Sequence, residues 1–591
     1  MDSLRKGDGM SAQFRHFGEL YRHLEASPPK GDFLHNRDGT GWKRFSKGEF
    51  LRSVHYLTLA FHENGWQGKQ VAVAVSSSAE WLMLDYALML SGAVCVPLFT
   101  NISSQNLLFQ FQDSNIHTAF IENKEQEKYI HQADASIEVI YVGVEFEVYR
   151  SFEKMIEEGK EIDKNNPRLF DTLLTELTPK SLATIVYTSG TSGTPKGVEL
   201  THANLISQIH ATALNYHFTR DVDVAFSFLP LAHIFERMVM HFYLSRELSV
   251  YFADDVKNVG VLLKEVNPTV MTVVPRLLEK VFFKMQLKAM EGSFIKKAIV
   301  KFAFYRASNK DPFEAPTVID AMLDKIVYTK LRLALGNRMR MLISGGAALS
   351  DKLYRFYLNI GIPLYQGYGQ TESSPVIASN TPKKNKVGTC GKAFPDVKVK
   401  ISHEGELLVK GPNVMKRYHN NAKATREAID ADGWLYTGDL ASIDVEGFVT
   451  ITGRKKELFK TSTGEFVSSV YIEQELVSNG WFEHALIVGD GKPFVVALLF
   501  VEHEFLGRLA TQMHSTPIKV LESQKFYKMA DDFIKHLNKK LNHWERIKRF
   551  KIIGDTLTIE AGELTPSMKL AKTHLMEVYN EEINEMYKGH V

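Results

Sequence analysis

The chain has 591 residues, 44% of them hydrophobic, enough for more than one domain with ample core. A net charge of +2 gives no bulk electrostatic case for nucleic acid. The two cysteines, Cys95 and Cys390, are too far apart for a disulfide framework or a zinc pattern and suit a reducing compartment.

The N-terminal residues 1–8 are polar and lack the apolar stretch of a secretion signal. Ser46 is placed to cap a helix running through Phe61 at helical apolar spacing. The apolar run 71–99 is broken by Glu80 and Asp85, so it reads as strand, helix and strand rather than a membrane span of ~18 uncharged residues. Further strands are expected at 117–122 and 137–142, which makes the sheet largely parallel. Residues 151–170 are charged and read as a surface connection. These features predict a cytoplasmic protein, with peripheral contact on the inner face of a membrane left open.

Residues 182–187 form an apolar strand that runs into Thr188-Ser-Gly-Thr-Ser-Gly-Thr-Pro-Lys-Gly197. Gly190, Gly193 and Gly197 permit positive φ and close approach to a ligand. Thr188, Ser189, Thr191, Ser192 and Thr194 add hydroxyls, Lys196 adds a charge, and successive amides can form an anion-binding nest. The loop is therefore built for polyphosphate. It is not a Walker A loop, because Lys196 is followed by Gly197 rather than Ser or Thr. Residues 198–206 read as the entry to a helix capped by Thr201.

Another apolar strand ends at Pro230, and His233 opens a helix; a packed core histidine and one that touches substrate both fit. Residues 277–335 are long, helical and basic, broken at 309–316. The strand at 340–344 ends in small residues, Gly345, Gly346 and Ala347, which let a flat ring or alkyl chain approach the backbone. Gln366, Gly367, Tyr368, Thr371 and Glu372 then pack an aromatic, a hydroxyl and a carboxylate around two glycines. Residues 386–414 alternate as antiparallel strands, followed by Tyr436-Thr-Gly-Asp439 and Gly453-Arg-Lys-Lys456. The remainder is small and α+β, with Lys569 and Lys572 near its end.

In this order these motifs resemble the adenylate-forming superfamily of acyl-CoA synthetases, peptide-synthetase adenylation domains and luciferase. The resemblance spans about residues 40–580. It implies an α/β fold: a large N-terminal domain, residues 1–455, of mainly parallel sheets flanked by helices, with a β subdomain at about 386–452, and a small mobile α+β domain, residues 456–591. It also implies that Thr188–Thr194, Lys196, Gly346, Ala347, Gln366, Gly367, Tyr368, Thr371, Asp439 and Arg454 hold ATP or AMP, and that Thr188 and Glu372 hold Mg²⁺. Lys569 is the implied catalytic lysine, with Thr371, Glu372 and His233 also in the reacting site; Lys456 is the hinge and Gly464 borders the coenzyme A tunnel. Met568 stands where the commoner family form has Gly, and Lys456 where many members have Asp.

The 277–335 elaboration, together with these variants, resembles long-chain fatty acyl-CoA synthetases. The implied reaction activates a long-chain fatty acid to acyl-AMP with release of pyrophosphate, then transfers the acyl group to coenzyme A. A ligase that loads a carrier-protein phosphopantetheine, an aryl or medium-chain ligase, and a non-catalytic binding protein are the alternatives. The basic run 539–551 reads as a solvated helix and strand, with anionic lipid as its other reading.

Overall fold

The computed structural model describes residues 14–143, 150–188, 195–289, 291, 293–462, 464–565 and 568–588, with only the backbone at Lys456. One sheet has seven strands, in spatial order Arg417–Tyr418, Lys196–Thr201, Leu182–Thr188, Val94–Pro97, Gln70–Val73, Thr118–Ile121 and Glu138–Tyr141. A second has nine: Lys392–Ala393, Val376–Ser379, Leu364–Gly369, Met341–Ser344, Val270–Val273, Val224–Ser227, Ser249–Phe252, Leu34–Asp38 and Gly41–Phe45. The central pairs in both are parallel; both edges of the nine-stranded sheet and the Arg417–Tyr418 edge of the seven-stranded one are antiparallel, while its other edge, Glu138–Tyr141, is parallel.

Strand alternation divides the cores. Val71 and Val73 face a core shared by both sheets, whereas Ala72 faces the opposite side. In the other sheet Met341 and Ile343 join that shared core, and Leu342 joins one built with helices from 275 onward. The Ala79–Leu90 helix is buried on every side, as is most of Ile234–Ser245. That burial explains why 71–99 is apolar nearly throughout. Ser46 caps the Lys47–Glu63 helix in a full capping box with Glu49.

Two expectations fail here. Residues 151–170 are not a loose connection: helices Phe152–Asn165 and Leu169–Glu176 occupy the region. Phe152, Met155 and Gly159 bury one face of the first helix, and a Cβ at Gly159 would lie 1.8 Å from the Tyr56 carbonyl oxygen. The charged residues are only its outer face, and they mask the stripe. Residues 196–201 are a strand antiparallel to Leu182–Thr188; the helix starts at His202, with Thr201 as its cap. Gly197 is needed for space rather than positive φ, because a Cβ there would sit 2.9 Å from Ile185 and 3.1 Å from His419.

A four-stranded antiparallel sheet, Lys398–Ile401, Glu406–Lys410, Leu435–Ile443 and Val449–Arg454, follows. Two further cores are built wholly from residues 459–587 around the strands Phe482–Val488, Val495–Val501 and Ile547–Ile553. The middle strand is covered on both faces, which accounts for its unbroken apolar run. The basic run 539–551 contributes a helix end, a turn and an edge strand, with Lys551 paired to Glu585 and Lys540 to Glu475.

Burial pushes the His202 ring down to about 3, and the His233 and His484 rings down to about 4. As pH falls below ~6.5 the unfolded chain takes up these protons first, so stability falls through the window from 6.5 to about 4. Glu236 acts in the opposite sense: burial raises it to about 7, and its contribution is lost as pH rises through that value. We expect urea midpoints to drop on acidification from pH 7 to 5, at up to about 1.4 kcal/mol per pH unit for each titrating ring. A His202→Gln variant should show a shallower drop, and equal slopes for the two proteins would remove His202 from the account.

Candidate active site

The strand Leu182–Thr188 and its partner Lys196–Thr201 form a hairpin in which Thr188 pairs with Lys196, and the Thr188 hydroxyl donates to the Lys196 carbonyl oxygen at 3.4 Å. Ser189, Gly190, Thr191, Ser192, Gly193 and Thr194 lie outside the described residues. The short strand Arg417–Tyr418 adds to the hairpin edge. It places the Tyr418 ring 4.9 Å from the Lys196 ammonium, and the Tyr418 hydroxyl donates to Glu372 Oε1 at 2.8 Å. One tyrosine thus links the loop lysine to the carboxylate expected to meet the metal.

Behind it Glu199 is buried. Burial opposes its charge, but hydrogen bonds from His419 and Arg417, both 2.8 Å, hold its carboxyl below the usual range. These bonds fix the Arg417–His419 segment from below.

The second cluster gathers on Asp439. The Tyr368 hydroxyl donates to Asp439 Oδ2 at 2.5 Å, and Arg454 Nε donates to Oδ1 at 2.9 Å. Asp439 and Arg454 are directly paired across two strands, so backbone register sets their contact. Each carboxylate oxygen has a further lone-pair direction, and the group can still accept from a pair of hydroxyls. Gly369 is required by crowding, since a Cβ there would lie 1.9 Å from the Pro375 carbonyl oxygen. Gln366 is buried beside Cys390, and Gly367 pairs with Ser379 on the neighbouring strand. Thr371 and Glu372 begin a short turn, with the Glu372 carbonyl held by the Met415 amide at 2.8 Å.

At the end of the Met341–Ser344 strand Gly345 is buried against the Phe235 ring, 2.9 Å from where a Cβ would stand, while Gly346, at φ 80°, and Ala347 are exposed. His233 caps the Ile234–Ser245 helix by accepting from the Phe235 amide at 3.3 Å. Burial is the main cause of its low pKa, and the Lys569 charge adds to it, so the lysine lies within electrostatic reach of His233. Lys569 keeps solvent access, yet enough protein surrounds it that burial, with Arg454, lowers its pKa. Lys569, Arg454, Asp439 and His233 therefore converge from both parts of the chain.

Lys569 sits on a tight turn: its amide donates to the Thr565 hydroxyl at 3.1 Å, and its carbonyl accepts from the Thr565 amide at 2.8 Å. Met568 holds φ 60° in that turn, the left-handed region that glycine adopts freely. Glycine is thus the natural occupant and methionine the strained one. Met568→Gly should leave pyrophosphate release within about twofold and relieve about 1 kcal/mol of strain. Met568→Val, β-branched, should slow that step about tenfold by displacing Lys569. Thioester formation from supplied acyl-AMP is the control; a Val variant equal to wild type would show that the turn does not set the lysine.

Lys572 is not part of this cluster. Its ammonium is 2.7 Å from Glu473, 3.3 Å from Glu457 and 3.0 Å from the Ser469 hydroxyl, so it is a structural cation. Gly464 lies apart, at φ 91° in a turn closed on Thr461. Among the described residues no group of three His, Cys, Asp or Glu side chains forms a metal cage, and no helix is long and apolar enough to cross a membrane. Tyr418, Arg417, His419 and Glu199 carry no local signal as site residues. Their contacts span 46 to 220 positions in sequence, and only the sheet edge brings them together.

Residues 23–419 match the family model described as AMP-binding enzyme, and residues 457–591 match its C-terminal domain. The long-chain-fatty-acid–CoA ligase FadD15 of Mycobacterium bovis is 33% identical over 593 residues, covering 96% of each chain. The chain belongs to the AMP-binding enzymes, among the long-chain fatty acyl-CoA synthetases. Long-chain-fatty-acid–CoA ligase 6 of Mus musculus is 28% identical, over 88% of this AMP-binding enzyme and 78% of the mouse protein. Two solved structures share the fold. The anthranilate CoA ligase AuaEII in complex with anthranoyl-AMP has a TM-score of 0.72 at 17% identity, covering 96% of this chain and 98% of that one. The Bacillus subtilis O-succinylbenzoate coenzyme A synthetase in complex with ATP and magnesium ion has a TM-score of 0.66 at 20% identity, covering 94% and 98%.

Proposed function

We propose that this AMP-binding enzyme activates a long-chain fatty acid with ATP at the cleft between Lys196 and Lys569, then passes the acyl group to coenzyme A. The observation that carries the reading is the convergence of Lys569 from one part of the chain with His233, Asp439 and Arg454 of the other. A carboxylate is a poor acyl donor, and adenylation replaces its oxide leaving group with AMP. The carboxylate attacks the α-phosphate of ATP, the bond to the β-phosphate oxygen breaks, and pyrophosphate leaves with that electron pair. Two anions must meet, so positioned positive charge supplies most of the catalysis.

Lys196 sits against the β- and γ-phosphates, held by the Tyr418 face. Asp439 accepts from the ribose hydroxyls, Tyr368 lies against the adenine, and Gly346, Ala347, Gln366 and Gly367 leave room for its ring. Thr371 contacts phosphate and Lys569 offsets the charge between carboxylate and α-phosphate. The donor set fits Mg²⁺ brought in on phosphate oxygens: one carboxylate, Glu372, and one hydroxyl, Thr188, beside phosphate and water. When bound, the ion neutralises the departing pyrophosphate. His233, neutral near pH 7, lines the acyl mouth without adding charge.

For the second step Lys569 must leave so that the thiol can reach the carbonyl carbon. The pair around Lys456 supports a pivot there, and with it a division into residues 1–455 and 456–591. Lys455 pairs with Glu404 and with Glu406, the latter at 3.2 Å, in the β subdomain, whereas Glu457 pairs with Lys572 of the C-terminal part at 3.3 Å. Rotation at that point brings the Gly464 turn toward the pantetheine of coenzyme A.

The test is incubation with Mg-ATP and a graded series of fatty acids, with and without coenzyme A, following pyrophosphate and acyl-CoA. Coenzyme A-dependent turnover that peaks at long chains is expected. Pyrophosphate without acyl-CoA would move the acceptor to a carrier protein, and a preference for aromatic acids would overturn the substrate.

A further inference from the structure

Lys196 and Glu372 carry opposite charges and both touch Tyr418, one at the ring face and the other at the hydroxyl. Among the described residues neither belongs to an ion pair, although both keep partial solvent access. An ammonium and a carboxylate this close to one side chain attract each other, and pairing would neutralise both. The tyrosine gives each a neutral partner instead. Its π face takes the cation and its hydroxyl donates to Oε1 of the anion. Among the described residues Oε2 of Glu372 has no hydrogen-bond partner.

The ring is not free to follow its charged neighbours. Tyr418 stands in a segment, residues 415–420, that bridges the phosphate strand and the Glu372 turn. The Met415 amide donates to the Glu372 carbonyl oxygen at 2.8 Å, the Lys416 amide to that of Glu199 at 3.0 Å, and the His419 amide to that of Gly197 at 2.7 Å. The Glu199 carboxylate takes one donor from each side of the tyrosine, Arg417 and His419. Asn420 donates to the Asp113 carbonyl oxygen at 2.7 Å. With its backbone fixed on both sides and only 8% of it exposed, the tyrosine sets where the two charges stand.

We propose that Tyr418 is a positioning residue of the nucleotide site. Its ring keeps Lys196 and Glu372 from neutralising each other, so that the lysine stays available to phosphate. Its hydroxyl orients the Glu372 carboxylate and leaves the second oxygen for the magnesium of Mg-ATP; partners of this kind are typically worth about 10–100-fold in metal affinity. The assignment rests on the ATP-binding part of the reading above.

The test is calorimetric titration of the full chain with ATP in EDTA and with Mg-ATP, without fatty acid so that no turnover intervenes. Tyr418→Phe keeps the spacer and loses the orienting bond. Its Kd for metal-free ATP should stay within about twofold, while that for Mg-ATP should rise about tenfold. Tyr418→Leu loses both, and metal-free ATP should also bind about tenfold more weakly, because Glu372 now claims Lys196. Adding Glu372→Gln to Tyr418→Leu removes the rival carboxylate, so metal-free affinity should return to within about threefold of wild type. A ring that serves packing alone predicts no such rescue.

Failure of that rescue overturns the proposal, as does a Tyr418→Phe variant with unchanged Mg-ATP binding. The Phe variant retains the packing and decides the matter if the Leu variant does not fold. A wild type that binds ATP yet forms no acyl-CoA keeps the positioning role and overturns the proposed reaction; a wild type that binds no ATP overturns both.

Discussion

Lys569→Ala should slow pyrophosphate release by about 10²–10⁴-fold, the scale of losing one positioned charge at a developing anion. Thioester formation from supplied acyl-AMP and coenzyme A should stay within about threefold, because Lys569 is withdrawn in that step. The prediction follows from the placement of the ammonium beside Arg454, Asp439 and His233. Lys572→Ala is the contrasting variant. Its ammonium satisfies Glu473, a carboxylate whose pKa burial raises, so removal strands that group. It should destabilise the C-terminal part by about 3 kcal/mol and affect both half-reactions through folding.

The pH profile supplies a further reading: burial and Arg454 lower the Lys569 pKa, so the alkaline fall in pyrophosphate release should begin below the ordinary lysine range. Equal loss of both half-reactions in Lys569→Ala would count against the two-conformation account, and an unaffected first step would take the lysine out of the chemistry.

The parts of this site that were legible in sequence are those whose residue types have few other uses. Pro-Lys-Gly after an apolar strand, and Tyr-Thr-Gly-Asp in an alternating one, each combine small residues with a charge. Ser46 and Thr201 were legible for a similar reason, because capping chemistry is local. What was not legible depends on distant pairing. The strand Lys196–Thr201 reads like a helix entry until Leu182–Thr188 lies antiparallel beside it. Tyr418 is one tyrosine among many until the Arg417–Tyr418 strand joins that edge. The Phe152–Asn165 helix was hidden because only three of its residues are fully buried. Lys572 was a rival to Lys569 in sequence, and only its carboxylate partners separate the two.

The same dependence on distant pairing governs the largest expected effect on stability. Asp85, inside an otherwise apolar helix, meets Arg237 of the Ile234–Ser245 helix, both with no solvent exposure. Arg237 Nε donates to Asp85 Oδ2 at 2.8 Å, a second donor goes to Oδ1, and Nη1 donates to the Thr184 hydroxyl at 2.7 Å. Burial alone would push the Asp85 carboxyl up, but Arg237 and His241 hold it charged, below the usual range. The network joins three elements that matter to the site. One helix carries His233 at its start, the other backs it, and Thr184 lies on the strand that ends at Thr188.

Arg237→Met removes the main partner and leaves a buried carboxylate with only the His241 ring beside it, which should cost about 3–5 kcal/mol. Asp85→Asn/Arg237→Met should recover most of that, since what is lost is the unpaired charge rather than the packing volume. Arg237→Lys should fall between, because an ammonium cannot span both carboxylate oxygens and Thr184. Urea midpoints of the four proteins settle the energetics. If the double variant is as unstable as Arg237→Met, the destabilisation comes from packing around the guanidinium and Trp81, whose ring lies 5.5 Å from it. If stability recovers while KM for the fatty acid or ATP stays raised, the pair also sets the spacing between the acyl mouth and the phosphate strand, which packing alone does not predict.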